Sequence, residues 1–168
     1  MQIRDEHPED AAAIGEITAA AFADAPHASG TEARIVEALR QAGALTLSLL
    51  ATADDGRIIG HAAFSPVQID QAAGRWYGLG PVSVTPQLQR QGIGGALIRR
   101  ALDRLAALGA EGCVVLGDPA YYGRFGFVSD PALTYGGESS RYFQRRVLKG
   151  DPPKGDVSYH PAFDVDRG

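Results

Sequence analysis

The spacing of apolar residues switches between the helical and the extended period several times along the chain, and each switch predicts an element. Ile3-Arg4 reads as a short first strand. Pro8, Glu9 and Asp10 then open a helix, because proline suits the first helical position and acids favour the positive end of the helix dipole. Ile14, Ile17, Ala21 and Phe22 fall at helical spacing and carry it on until Pro26. Ser29-Gly30-Thr31-Glu32 has the serine-to-glutamate spacing of a capping box. The helix behind it places Ile35, Val36 and Leu39 on one face and stops at Gly43.

From Leu45 the pattern becomes extended. Leu45 to Ala53, Arg57 to Ile69 and Arg75 to Val84 read as three strands of an antiparallel meander. Their turns lie at Asp54-Asp55-Gly56 and Gln71-Ala72-Ala73-Gly74, and Pro86 ends the last strand. Gly92 to Leu108 is the clearest helix. Ile93, Leu97, Ala101, Leu105 and Leu108 form its apolar stripe, and Gly109 provides its stop. The continuous apolar run from Gly112 to Gly117 predicts a buried strand. Asp118 to Tyr122 opens a short helix that ends at Gly126, and Phe127-Val128 begins another strand. Tyr142 to Leu148 and Val157 to Phe163 read as late strands around the loop from Gly150 to Gly155. This order predicts an α+β fold with a mixed sheet. With no internal repeat, low-complexity tract or linker, residues 1–168 are expected to form a single domain.

Composition narrows the function. Of 168 residues 45% are apolar, enough for a core, while 21 glycines and 10 prolines make the fold rich in turns. A net charge of −4 argues against a nucleic-acid partner, since such binders carry a basic excess. Cys113 stands alone, which excludes an internal disulfide and a multi-cysteine zinc site. His7, His27, His61 and His160 have no metal-ligand spacing, so no metal is expected. No apolar run approaches the ~18 residues of a membrane span, and the first residues lack a signal-peptide core. A cytoplasmic protein without a membrane partner is the expectation.

Two segments carry chemistry. In Leu79-Gly80-Pro81-Val82-Ser83-Val84, proline cannot donate to a ladder and glycine within a strand marks a bulge or a close backbone approach. The strand should therefore splay from its neighbour and leave backbone groups for an extended, amide-containing ligand; the plainer reading is a kinked edge strand. In Gln89-Arg90-Gln91-Gly92-Ile93-Gly94-Gly95, glycines at a helix start let backbone N–H groups approach a pyrophosphate, and Arg90 can add charge. The plainer reading is a turn that starts a helix. No Gly-Lys-Ser/Thr is present for a Walker A loop. The dinucleotide fingerprint fails because Leu97 holds its last glycine position, which counts against a nucleotide-dependent oxidoreductase.

Gln89-x-x-Gly92-x-Gly94, after a Val-x-Val-x-Pro strand and before an amphipathic helix, resembles the acetyl-CoA loop of the GNAT superfamily of N-acetyltransferases. Tyr122-Gly123-Arg124-Phe125-Gly126-Phe127 is similar to the segment where many members place a tyrosine beside the CoA sulfur. The resemblance covers the order of elements almost end to end, with a motif-bearing core at about residues 1–136. The remaining residues, 137–168, form a C-terminal extension similar to that of a bacterial subgroup of the family.

The resemblance implies a GNAT-type, mostly antiparallel sheet flanked by helices and splayed at the acetyl-CoA groove. Val82 and Val84 would offer backbone groups to the pantetheine arm. Arg90, Gln91, Gly92, Ile93, Gly94 and Gly95 would surround the pyrophosphate. Tyr122 would face the thioester, and Tyr121 and Phe125 would pack nearby. Many members carry a glutamate base on the central strand, but Tyr77 to Val84 contains no acid. Glu32 and Asp118 are the candidates, each with a helix-capping role as its plainer explanation. His27 could line the acceptor pocket or be a loop residue. His61 reads as a satisfied sheet residue, Ser83 as a relay through water, and Cys113 as core.

The implied function is transfer of an acetyl group from acetyl-CoA to a small-molecule or peptide amine, by direct attack in a ternary complex. The missing strand glutamate keeps a second class open, an acyl-CoA-binding sensor without turnover. A homodimer is left open.

Overall fold

The computed structural model describes residues 1–23 and 30–165. Its strands are β1 (Gln2–Asp5), β2 (Leu47–Thr52), β3 (Ile58–Ile69), β4 (Ala72–Val84), β5 (Gly112–Leu116), β6 (Val128–Ser129), β7 (Leu133–Tyr135), β8 (Phe143–Val147) and β9 (Gly155–Ser158). They form one nine-stranded sheet in the order β1-β2-β3-β4-β5-β8-β6, with β9 on the distal end of β3 and β7 on β9. β4–β5 and β7–β9 are parallel, and the sheet is otherwise antiparallel. The helices are α1 (Ala11–Phe22), α2 (Glu32–Gln41), α3 (Ile93–Ala107) and the single turn α4 (Pro119–Tyr122). The expected α+β class with a mixed, mostly antiparallel sheet is the observed one.

Several boundaries differ from the pattern, each for a local reason. β3 and β4 meet at a two-residue turn, Asp70-Gln71, with φ of 52° and 63°. This is the primed turn whose twist suits a hairpin, and it leaves Ala72–Gly74 in the strand. α2 begins at Glu32 with Thr31 in the N-cap place, two residues later than the capping box predicts. Gly30 has φ 77°, which keeps it out of a first helical turn. Pro26, His27 and Ser29, and the readings that rested on them, lie outside the described residues. α3 stops before Leu108, which is exposed, and β7 was not legible. The late strand expected from Val157 to Phe163 ends at Ser158, and Pro161–Asp164 forms a 3-10 turn instead.

The chain divides into two compact units. The first comprises Met1–Phe64, Gly80–Ala101 and Pro161–Gly168. In it α1 and α2 cover one sheet face, where Ile14 and Val36 pack on Leu50. Ile35, Leu39 and Ala44 enclose Ala162 of the terminal turn. The start of α3 lies on the other face, which Gly60 makes accessible. A Cβ at position 60 would lie 2.9 Å from Ile93 Cγ2 and 3.0 Å from Leu97 Cδ1.

A partly buried polar chain also crosses the first unit. Arg40 of α2 donates to both carboxylate oxygens of Glu6 (2.7 and 2.8 Å), and the Ser48 hydroxyl donates to Glu6 Oε1 (2.6 Å). With its proton committed to a carboxylate, Ser48 accepts from His61 Nε2 at 2.8 Å. That fixes the tautomer and leaves the Nδ1 lone pair of His61 without a partner among the described residues. His61 is therefore only half satisfied, against the expectation of a satisfied sheet residue. Burial alone would raise the Glu6 carboxyl, but the Arg40 and Ser48 bonds hold it below its ordinary value. Burial pushes His61 down to about 4, against the pull of Glu6 and helped by Arg40.

The second unit comprises Ser65–Leu79 and Leu102–His160. Its core joins Val67, Trp76, Val114, Leu133, Phe143 and Val157. Gly112 leaves room for the Trp76 indole, which a Cβ there would strike.

Two outcomes are expected. Gly60→Val forces α3 off β3 and should destabilise the protein by about 1–3 kcal/mol in denaturant unfolding. The unfolded chain protonates His61 near pH 6.5 while the folded chain holds it neutral to about 4. Stability should therefore fall as pH drops through that window, by about 3 kcal/mol in all. His61→Gln should flatten the dependence, as read from the urea midpoint at pH 7 and pH 5.

Candidate functional site

The segment expected to hold the cofactor begins on β4 within the first unit. The Thr85 N–H donates to the Ile59 carbonyl at 3.0 Å, so Thr85 turns its backbone toward β3. By the alternation of an extended strand, Val84 and Val82 turn theirs to the opposite edge. On that edge, among the described residues, β4 has a ladder partner only at Trp76↔Gly112, Tyr77↔Cys113 and Gly78↔Val114. The loss of pairing expected for this strand is present, and Val82 and Val84 lie beyond it. Gln89 Nε2 donates to the Val84 carbonyl at 3.1 Å, tying the following loop to this edge. Ser83, between the two valines, is buried with a hydroxyl that has no partner among the described residues.

The loop then turns sharply. Pro86–Leu88 form a 3-10 turn, and Arg90 and Gly92 take left-handed backbone at φ 66° and 87°. Apart from its chain neighbours, no atom of a described residue lies within 4 Å of a Cβ placed on Gly92, so glycine answers its dihedral angle rather than a lack of space. The first bond of α3 runs from Ala96 N–H to the Gly92 carbonyl at 3.0 Å. The N–H groups of Ile93, Gly94 and Gly95 precede that bond and have no acceptor within the helix. Gln89, Arg90, Gln91 and Gly92 are exposed, whereas the Ile93 side chain is buried and anchors the helix on Gly60. The segment thus offers backbone donors and the positive end of a helix dipole to an anion, with Arg90 as its cation.

In the second unit, Asp118 caps α4. Its Oδ1 accepts the Ala120 N–H at 2.9 Å, and Pro119 holds the first helical position. The carboxylate considered as a base is therefore engaged in capping. α4 delivers Tyr122 into a slot left by Gly117, where a Cβ would collide with the ring. Its ring meets Phe127 edge-on at 5.9 Å and Tyr121 at 5.0 Å, with Phe125 tilted at 6.4 Å. The Tyr122 hydroxyl makes no hydrogen bond to a described residue. Burial, with smaller contributions from Tyr121 and Cys113, pushes its pKa above the usual phenol range, so it stays protonated at neutral pH. Cys113 is fully buried, and burial raises its thiol too, which suits a core residue and not a nucleophile.

Glu32 opens α2 and is half-buried, and His27 lies outside the described residues. Among the described residues no group of three His, Cys, Asp or Glu side chains could hold a metal ion, and no helix is long and apolar enough to cross a membrane. The Gln89–Val84 clamp and the Gly117 slot were missed from the sequence. A glutamine or glycine gives no local sign of a contact made through folding.

Comparison with known proteins agrees with this geometry. The model of the acetyltransferase (GNAT) family matches residues 12–127. A curated relative, the uncharacterized N-acetyltransferase YhbS of Escherichia coli K12, is 42% identical over 97% of this chain and 98% of its own length. A GNAT family acetyltransferase from Brucella melitensis, solved in complex with acetyl-CoA, is 52% identical with a TM-score of 0.86, covering 97% of each chain. E. coli YhbS, solved in complex with CoA, also superposes with a TM-score of 0.86, at 36% identity over 97% of this chain and 91% of that one. Motif, fold and relatives converge, and the chain belongs to the GNAT family of acetyltransferases.

Proposed function

We propose that the chain transfers an acetyl group from acetyl-CoA to the nitrogen of a small-molecule or peptide amine, by direct attack without an acyl-enzyme. The observation that carries this reading is the unpaired edge of β4 at Val82 and Val84, leading straight into the loop and N-terminus of α3. An amide-rich pantetheine arm fits such an edge as an added strand would, and a pyrophosphate fits the N–H groups of Ile93, Gly94 and Gly95. The Val82 N–H is the donor assigned to the thioester carbonyl, where negative charge develops during attack.

The amine nitrogen attacks the thioester carbon, the C–S bond breaks, and the CoA sulfur leaves as a thiolate. The Tyr122 hydroxyl is assigned a hydrogen bond to this sulfur, and the proton that makes the thiol comes from water. Its partly buried phenol, held protonated and with no hydrogen-bond partner among the described residues, supports that role. The attacking amine must first be neutral, and a lysine-like amine is protonated at pH 7. Asp118 is occupied as a cap, so the proton is assigned to water or to Glu32. Cys113 is excluded from an acyl-enzyme by its burial.

Gly94→Val should weaken acetyl-CoA binding by more than Arg90→Ala does, because the anion contact is assigned to backbone. Isothermal titration on folded variants checks the order, and equal affinities in the glycine variant and the parent would remove the loop from the site. Tyr122→Phe keeps the ring and removes the hydroxyl. Turnover, followed as thiol release over a panel of amines, should fall by roughly 10²–10⁴-fold with acetyl-CoA affinity and Tm little changed. Full turnover with lowered stability would make Tyr122 a packing residue.

A further inference from the structure

Within the second unit, the turn end of the β3–β4 hairpin borders a cavity of about 200 Å³. It is lined by Val67 and Ile69 of β3, Trp76 of β4, Pro153 of the loop before β9, and Glu111. The space exists because β4 sets only the small residues Ala72, Ala73 and Gly74 beside these larger side chains. The Trp76 indole cannot move in to fill it, since its ring is seated on Gly112 and packed with Val67 and Val114.

Glu111 gives this apolar cavity its charge. Its main chain is held from both sides: its N–H donates to the Arg75 carbonyl at 2.8 Å, and its carbonyl accepts the N–H groups of Leu148 and Lys149 at 2.8 and 3.1 Å. Its side chain is exposed, and the carboxylate has no ion pair or hydrogen bond among the described residues. The neighbouring cations do not compensate it. Arg75 precedes Trp76 on β4, so its side chain leaves by the other face of the strand, where it donates to the Gly109 carbonyl at 3.3 Å. Lys149 meets Glu111 through its backbone N–H and not through its ammonium.

We propose that this cavity binds a small organic ammonium, with its apolar body against Val67, Ile69 and Trp76 and its cationic nitrogen at the Glu111 carboxylate. The volume is below the ~300–1,000 Å³ of pockets for drug-sized ligands, so the occupant is compact. An anion would meet an uncompensated carboxylate. A neutral apolar molecule would strip water from that carboxylate without replacing it, whereas an ammonium supplies the partner. The cavity is separate from the residue assigned to the CoA sulfur. Glu111 precedes β5, whereas Asp118 and Tyr122 follow its other end, and a strand of five residues spans about 16 Å. The proposal therefore stands independently of acyl transfer.

Trp76 is the only tryptophan of the chain, so its emission reports on this cavity. The test titrates 2-phenylethylammonium chloride into the full chain at neutral pH without acetyl-CoA, with 2-phenylethanol as the neutral probe. The ammonium should shift the Trp76 emission to saturation and bind roughly threefold to fivefold more tightly than the alcohol, the upper worth of a solvent-accessible ion pair. In Glu111→Gln the two affinities should agree within about twofold. Gly74 shares the face of Trp76 by alternation. Apart from its chain neighbours, no atom of a described residue lies within 4 Å of a Cβ there, so Gly74→Ile keeps the strand and fills the cavity. That variant should bind both probes at least ~10-fold more weakly, the worth of about two methylene groups left unburied. A parent whose emission does not saturate with the ammonium overturns the proposal. So does an alcohol that binds the parent as tightly as the ammonium, a preference for the ammonium that survives Glu111→Gln, or undiminished binding by Gly74→Ile.

Discussion

The parallel pairing of β4 with β5 ends at Gly78↔Val114, and a backbone edge that loses its partner must satisfy its N–H and C=O groups in another way. Water can do so, but at no chemical profit. Here the following residues are arranged around the loss. Gln89 takes up the Val84 carbonyl, and the loop behind it turns through left-handed Arg90 and Gly92 into a helix whose first N–H groups also lack acceptors. Two sets of backbone groups left over by regular structure, a strand edge and a helix start, thus follow each other within a few residues. Their combination suits a ligand that is amide-rich at one end and anionic at the other.

Placing those groups requires close packing more than charge. Ile93 and Leu97 seat the start of α3 on Gly60, which fixes where the helix N–H groups begin. Gly117 gives Tyr122 its slot, and Gly78 gives Tyr159 its place. At each position the missing Cβ is the contact surface of a large side chain, so a substitution would displace that side chain rather than merely crowd a core. The partly buried phenols are held neutral by desolvation, the protonation state in which they can donate.

The charged network lies elsewhere. Arg40, Glu6, Ser48 and His61 join α2 to β2 and β3, with the ion pair compensating the burial of Glu6. His61 is neutral because burial outweighs the nearby carboxylate. As a base of low proton affinity it is poorly matched to an ammonium acceptor, and its evident contribution is to hold strands and helix together.

Much of this was legible in the residues themselves. Helical spacing marked α1, α2 and α3, the Gly-Pro pair marked the irregular strand, and the glycines of Gln89 to Gly95 marked the turn into α3, because each signal is local in the chain. Asp118 followed by proline marked its own helix start, and it was the structure that showed the carboxylate engaged there. The turn at Asp70-Gln71 was misplaced because two non-glycine residues took the left-handed backbone that Gly74 suggested. The short β7 carried too few residues for any period. The tautomer of His61, the clamp of Gln89 on Val84 and the seating of Tyr159 on Gly78 join residues brought together only by folding. The sequence by itself determined which backbone groups are spare, since that depends on local residue types. Only the tertiary structure decided which side chains close around them, since that depends on which strands pair and where their pairing ends.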